Sequence, residues 1–138
     1  MGMLHDVKIT TIASVAAGTS TITQGTGIDM AGYDGALFIV RLGTPATGNL
    51  LKVQQCDTVA GTYADLANSS VGGGASDNPL ILDISRPKEQ FLKYVVTRGT
   101  SSTIDIAMVI QYNARIKPIT QPGATVGETT VSPSEGTA

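Results

Sequence analysis

The feature that most constrains this chain is a period of two. In "TIDIAMVIQY" (103–112), Ile104, Ile106, Met108, Ile110 and Tyr112 alternate with Thr103, Asp105 and Gln111, the spacing that sends successive side chains to opposite faces of a β-strand. This pattern predicts Ile106 and Ile110 buried and Asp105 exposed. "FLKYVVTR" sets Leu92, Tyr94 and Val96 against Lys93 and Thr97, "LILDIS" sets Leu80, Leu82 and Ile84 against Asp83, and "LLKVQQ" sets Leu51 and Val53 against Lys52 and Gln54. "VKITTIASV" offers Val7, Ile9, Thr11, Ala13 and Val15 on one side of a first, β-branched strand. "ALFIVRL" is apolar on both faces, as in a strand covered on two sides or lying at a subunit contact. No segment keeps a helical period for more than about a turn.

Strands separated by turns, with no crossover helices, pair antiparallel into two layers. Shorter strands at 20–23, 28–31 and 63–67 bring the expected total to about eight, and residues 91–112 read as a hairpin closed by "RGTSS". Arg86-Pro87 ends the strand before it, because proline donates nothing to a ladder. The reading is an all-β antiparallel sandwich, an eight-stranded jelly roll with an immunoglobulin-like sandwich as the alternative. A chain of 138 residues fits one such domain, placed at 1–116. Residues 68–79, "NSSVGGGASDNP", read as a mobile surface loop. From Lys117 to Ala138 there are three prolines, three glycines and almost no large apolar residue, the composition of an extended arm. Such a segment cannot order itself by burying its own surface, so it is expected to lie on another chain.

The chain offers little to do chemistry with. "IDMAGYDGALFIVRLG" (28–43) sets two carboxylates, Asp29 and Asp34, about a glycine pair, with "AGYDG" at its centre. The preferred reading is a tight turn with Gly32 or Gly35 at positive φ, since a calcium loop needs more alternating oxygen ligands and a sugar site wants more aromatic surface than this Trp-free chain has. "VGGGAS" lacks the Lys-Ser/Thr ending of a phosphate loop. Cys56 is the single cysteine and His5 the single histidine, so no intrachain disulfide is available, the thiol has no base at hand, and no metal set is evident. The residues thus point to no catalytic group, no cofactor and no metal, with Cys56 a buried structural thiol suited to a reducing compartment. The N-terminus lacks the basic region of a signal peptide and the Ser or Thr of a myristoylation site, and no apolar run is long enough to span a bilayer, so a soluble chain is expected.

Only 14% of the residues are charged, leaving a neutral, Thr-rich surface that invites protein contacts. A net charge of −2 favours neither nucleic acid nor an anionic membrane. The charge is uneven, however: residues 86–117 carry six cations against two carboxylates, while the rest carries three against nine. That is either an ordinary solvated edge or a basic rim facing an acidic partner. The candidate partner interface joins Arg86, Lys88, Arg115 and Lys117 to Pro118, Ile119, Pro122, Val126 and Val131 of the arm, whose residues could add to a sheet edge.

"IDMAGYDGALFIVRLG", "VVTRGTSSTIDIAMVIQY", "ARIKPITQP" and "VSPSEGTA" resemble the small capsid decoration, or cement, proteins of tailed bacteriophages, over most of the chain from Ile28 to Ala138. The resemblance implies a jelly roll on the outer surface of an icosahedral head, assembled in the host cytoplasm. It also implies a role in tying neighbouring major capsid subunits together, as a dimer or trimer at a symmetry axis, without enzymatic activity. Two alternatives stay open: another structural subunit of such a virion, in its tail or as an adhesin, and a carbohydrate-binding jelly-roll module.

Overall fold

The computed structural model describes residues 2–12, 14–73, 77–122 and Glu135. Among the described residues a short 3-10 turn, Met3–His5, precedes ten strands: β1 (Lys8–Ile12), β2 (Val15–Gly18), β3 (Ile22–Thr23), β4 (Ile28–Asp29), β5 (Gly35–Gly43), β6 (Leu50–Cys56), β7 (Ala64–Gly72), β8 (Leu80–Ser85), β9 (Phe91–Thr97) and β10 (Ser102–Tyr112). They form two antiparallel sheets. In the first, the order is β1-β10-β5-β8 with β2 also on β10; in the second, it is β3-β9-β6-β7 with β4 also on β9.

Alternation decides which side chains meet between the layers. Ala36, Phe38, Val40 and Leu42 of β5 face Leu51 and Val53 of β6 and Leu92, Tyr94 and Val96 of β9, all of them buried in one cluster. Leu80 is buried and Leu82 and Ile84 pack on the same cluster, as the β8 pattern predicts. Register keeps these rows straight: Leu82 lies beside Phe38, and Phe38 beside Val109. Burying a side chain of this size contributes roughly 1.5 to 3 kcal/mol.

β10 departs from its sequence pattern. Its register shifts between Ile104 and Ile106 against β5, a bulge at Asp105 that turns every later side chain over. The buried residues are therefore Ser102 and Ile104, then Ala107, Val109 and Gln111, while Ile106 is 37% exposed and Ile110 only half-buried. Asp105 is exposed as expected, but the face chosen for Ile106 is corrected.

The 91–112 hairpin is corrected too. β9 is flanked by β6 on one side and by β3 and β4 on the other, and β10 by β5 and by β1 and β2. Neither has a free edge for the other, so residues 98–101 carry the chain from one sheet to the opposite one. The expected first strand splits into β1 and β2, with Thr11 exposed and Val15 packed against the core. The presumed loop at 68–79 begins later than expected, because β7 continues to Gly72 on β6. A register shift and an Asn68 at φ 59 let Ser69 turn its hydroxyl to the Leu66 carbonyl at 2.8 Å.

Candidate functional site

At the end of the sandwich where β5 starts and β10 finishes, three connections converge. "AGYDG" is the turn that sequence predicted: Gly32 sits at φ 86, where a Cβ is strained. The Asp29 carboxylate accepts from the Ala31 N–H at 2.9 Å and from Gln90 Nε2 at 3.0 Å, so this acid caps the turn. Gly35 has no positive φ; it is required because the Tyr112 ring occupies the place of a Cβ.

Backbone hydrogen bonds hold the neighbouring segments to this turn. The Met30 N–H donates to Gln90 O at 2.8 Å, Arg86 N–H to Asp34 O at 2.7 Å, Asp34 N–H to Tyr112 O at 3.2 Å and Arg115 N–H to Gly32 O at 2.9 Å. Between them lies an open notch of about 410 Å³ lined by residues 30–34, 86–90 and Arg115. Arg86, Lys88 and Arg115 are exposed there. Among the described residues, Asp34 pairs with one of these cations, its carboxylate 3.7 Å from an Arg115 Nη with both side chains largely in water, an attraction that water and salt reduce to a small term. Burial pushes the Tyr33 hydroxyl above its ordinary pKa, so the phenol on the notch wall stays protonated near neutral pH. Three cations, Arg86, Lys88 and Arg115, share the notch with the carboxylates of Asp34 and Glu89 and with the Tyr33 phenol, an excess of one positive charge that favours anionic oxygens.

The remaining candidate residues separate. Pro118 and Ile119 line a second cleft of about 350 Å³ that shares Ala31, Gly32, Tyr33 and Arg115 with the notch. Pro122 lines a third, of about 560 Å³, beside Lys8, Thr10, Gln24 and Gln111. Lys117 is paired within the chain, its Nζ 2.9 Å from Asp6, rather than free for an outside acid. Val126 and Val131 fall outside the described residues.

The first residues of the arm are tied to the chain's own N-terminus. Ile119 N–H donates to His5 O at 3.0 Å. Gln121 accepts from Ile9 N–H at 2.9 Å and donates to Leu4 O and Val7 O at 2.9 and 2.7 Å. The arm expected from Lys117 onward is thus held to the rest of the chain as far as Gln121, and residues 123–134 and 136–138 lie outside those described.

Two more cations of the basic stretch leave the rim. Lys93 lies over the Tyr63 ring, 4.2 Å from its centroid, and Arg98 is buried at 7% exposure. Sequence reasoning did not find Tyr33, Glu89 and Gln90 on the notch wall; the glycine turn and the Arg-Pro strand end were the signals, since both put these residues in loops at one end. Cys56 is buried, and among the described residues no three His, Cys, Asp or Glu side chains come together to hold a metal. No protein-family model and no curated protein matches the chain.

Proposed function

We propose that the protein is a structural attachment protein of a tailed-phage virion, seated on the outside of the head, where it ties neighbouring major capsid subunits together. The observation that carries this reading is the gathering of Arg86, Lys88 and Arg115 on one exposed notch, a surface that fits acidic groups on a protein partner. Repetition over a symmetric lattice turns modest single contacts into tight overall attachment, so the surface needs no deep pocket.

The proposed fold is the jelly roll. β1 and β2 pair with the same strand, as do β3 and β4, so the ten segments count as eight strands, each pair being one strand interrupted. The order β1-β10-β5-β8 opposite β3-β9-β6-β7 then matches two interleaved Greek keys.

The test is occupancy on bare heads of the phage that encodes the chain. Arg86→Glu with Arg115→Glu should lower occupancy at least tenfold, with an unchanged unfolding midpoint, and added salt should weaken the wild type in the same direction. A wild-type protein that folds but leaves heads bare, or a folded double variant that binds as well as wild type, overturns the proposal.

A further inference from the structure

The first sheet has a second apolar face, and no third layer lies over it among the described residues. Cross-strand register defines its rows. Ile9, Ile110, Leu37 and Asp83 make one; Thr11, Met108, Ile39 and Ile81 the next; Ile106 and Arg41 the third. The bulge at Asp105 adds Ile106 to this face, because it turns that side chain out of the core. Ile81 is 50% exposed and Ile106 37%. The sequence of β5 allowed either cover on both sides or a subunit contact, and the described residues supply no cover.

We propose that a second copy of this chain covers this face, giving a two-fold dimer with the two sheets packed face to face. Charge placement favours a copy over another occupant. Arg41 bounds the apolar rows at one end and Asp83 at the other. A two-fold axis across the strands, through the row of Met108, Ile39 and Ile81, keeps that row over itself and exchanges the rows on either side. Ile106 then lies over Ile110 of the second copy, and Arg41 over its Leu37, beside its Asp83. Apolar residues meet apolar residues, and the cation of each copy meets the acid of the other. Arg41 can turn to this contact: its described partners are both on Asp77, an ion pair at 3.9 Å between side chains more than half exposed and a long 3.5 Å hydrogen bond from its Nε to the Asp77 carbonyl. Asp83 accepts a 2.8 Å hydrogen bond from the Tyr112 hydroxyl, which leaves its second oxygen open to a guanidinium. Asp105, bonded by Thr103 at 2.7 Å, stays on the rim.

The area is that of a small interface. With strands ~4.8 Å apart and outward residues every ~6.8 Å, four strands over three rows cover on the order of 400 Å² in flat projection. Side-chain relief and a rim of Tyr112 and Ser85 add to this, giving an interface at the small end of the range, below the ~800 Å² per partner of standard size. This inference does not rest on the attachment reading, since the dimer forms in solution without any head.

The experiment is sedimentation equilibrium of the full chain up to about 100 µM, a range that detects even modest self-association. The wild type should be dimeric. Ile81→Asp, at a half-exposed position outside the core, should weaken the dimer at least ~100-fold by placing an unpaired charge in the interface. Arg41→Asp should weaken it roughly tenfold, and Arg41→Asp with Asp83→Arg should restore it to within a few-fold, because only a contact between copies exchanges the two charges. Should Ile81→Asp fail to fold, the charge exchange still decides. A wild type that stays monomeric, a folded Ile81→Asp that stays dimeric, or a double variant no better than Arg41→Asp alone each overturn the proposal.

Discussion

The two ends of the sandwich use cations from the same basic stretch in opposite ways. Where β9 passes into β10, Arg98 is buried and fully engaged. Its Nε donates to Ser20 O at 2.8 Å, Nη1 to Ala16 O and Ser102 O at 2.6 and 3.0 Å, and Nη2 to the Ser20 hydroxyl at 2.8 Å. At the other end Arg86, Lys88 and Arg115 stand in water around a notch. A buried guanidinium with no carboxylate is stable because carbonyl oxygens satisfy its planar fork of donors. An exposed one keeps its charge for something else. The comparison shows that a run of cations in a sequence is not one surface: the fold assigns some to cohesion and others to contact.

The largest test of that assignment is Arg98→Ala. It leaves the Ala16, Ser20 and Ser102 carbonyls short of a donor at the point where the chain crosses between sheets, and should cost on the order of 3 kcal/mol. Arg98→Lys should recover only part of this, because an ammonium cannot reach all four acceptors at once. Chemical denaturation measures both. A loss under about 1 kcal/mol for Arg98→Ala would mean that water replaces the guanidinium and that the two ends do not differ in kind.

Sequence made the inward faces of β6, β8 and β9 legible, because Leu51, Val53, Leu80, Leu92, Tyr94 and Val96 alternate without a break and the β6–β9 and β5–β8 pairs each keep one register. Two antiparallel layers followed from the same pattern. β10 was misread at Ile106 because a bulge changes the face without changing the residues. The supposed hairpin was misread because "RGTSS" turns the chain equally well within a sheet or between two, and only the neighbours of β9 and β10 decide. Arg98 could not be told from Arg86 or Arg115 by its letter, since what separates them is which carbonyls come within reach. At the notch, the turn with Tyr33 in it and the separate cations were legible; that Glu89 and Gln90 join them depends on how three connections meet.

A smaller effect of opposite sign is expected at the notch end. Arg86 holds φ 52, a left-handed conformation that costs an ordinary side chain ~1 to 2 kcal/mol and glycine almost nothing. Part of that gain is offset by the greater freedom of glycine in the unfolded chain, so Arg86→Gly should stabilise by about 0.5 to 1 kcal/mol. The same change removes one cation from the notch and should lower head occupancy. Stability up with attachment down is the signature of a strained residue kept for contact. A variant that is both less stable and equally well attached would place Arg86 with Arg98, as a structural cation.

The smallest effect is one of pH, and it too belongs to the notch end. Tyr112 has its pKa raised first by burial, then by its hydrogen bond to Asp83, with the charges of Asp83 and Asp34 adding to the shift. A phenol whose folded pKa lies above its unfolded value stabilises fully below that unfolded value, near 10, and the contribution is lost as pH rises through the folded pKa. Tyr33, Tyr63 and Tyr94 shift in the same direction, so the whole chain should weaken at alkaline pH. Tyr112→Phe isolates one share of that loss. At about pH 8 the variant should be slightly less stable than wild type, lacking the bond to Asp83, and by about pH 11 the difference should narrow or reverse, because only the wild type then sets a tyrosinate beside two carboxylates. Unfolding midpoints measured across this range decide it. A constant difference would mean that Asp83 and Asp34 do not act on Tyr112, and that the carboxylates at this end are screened from their neighbours as thoroughly as its cations are.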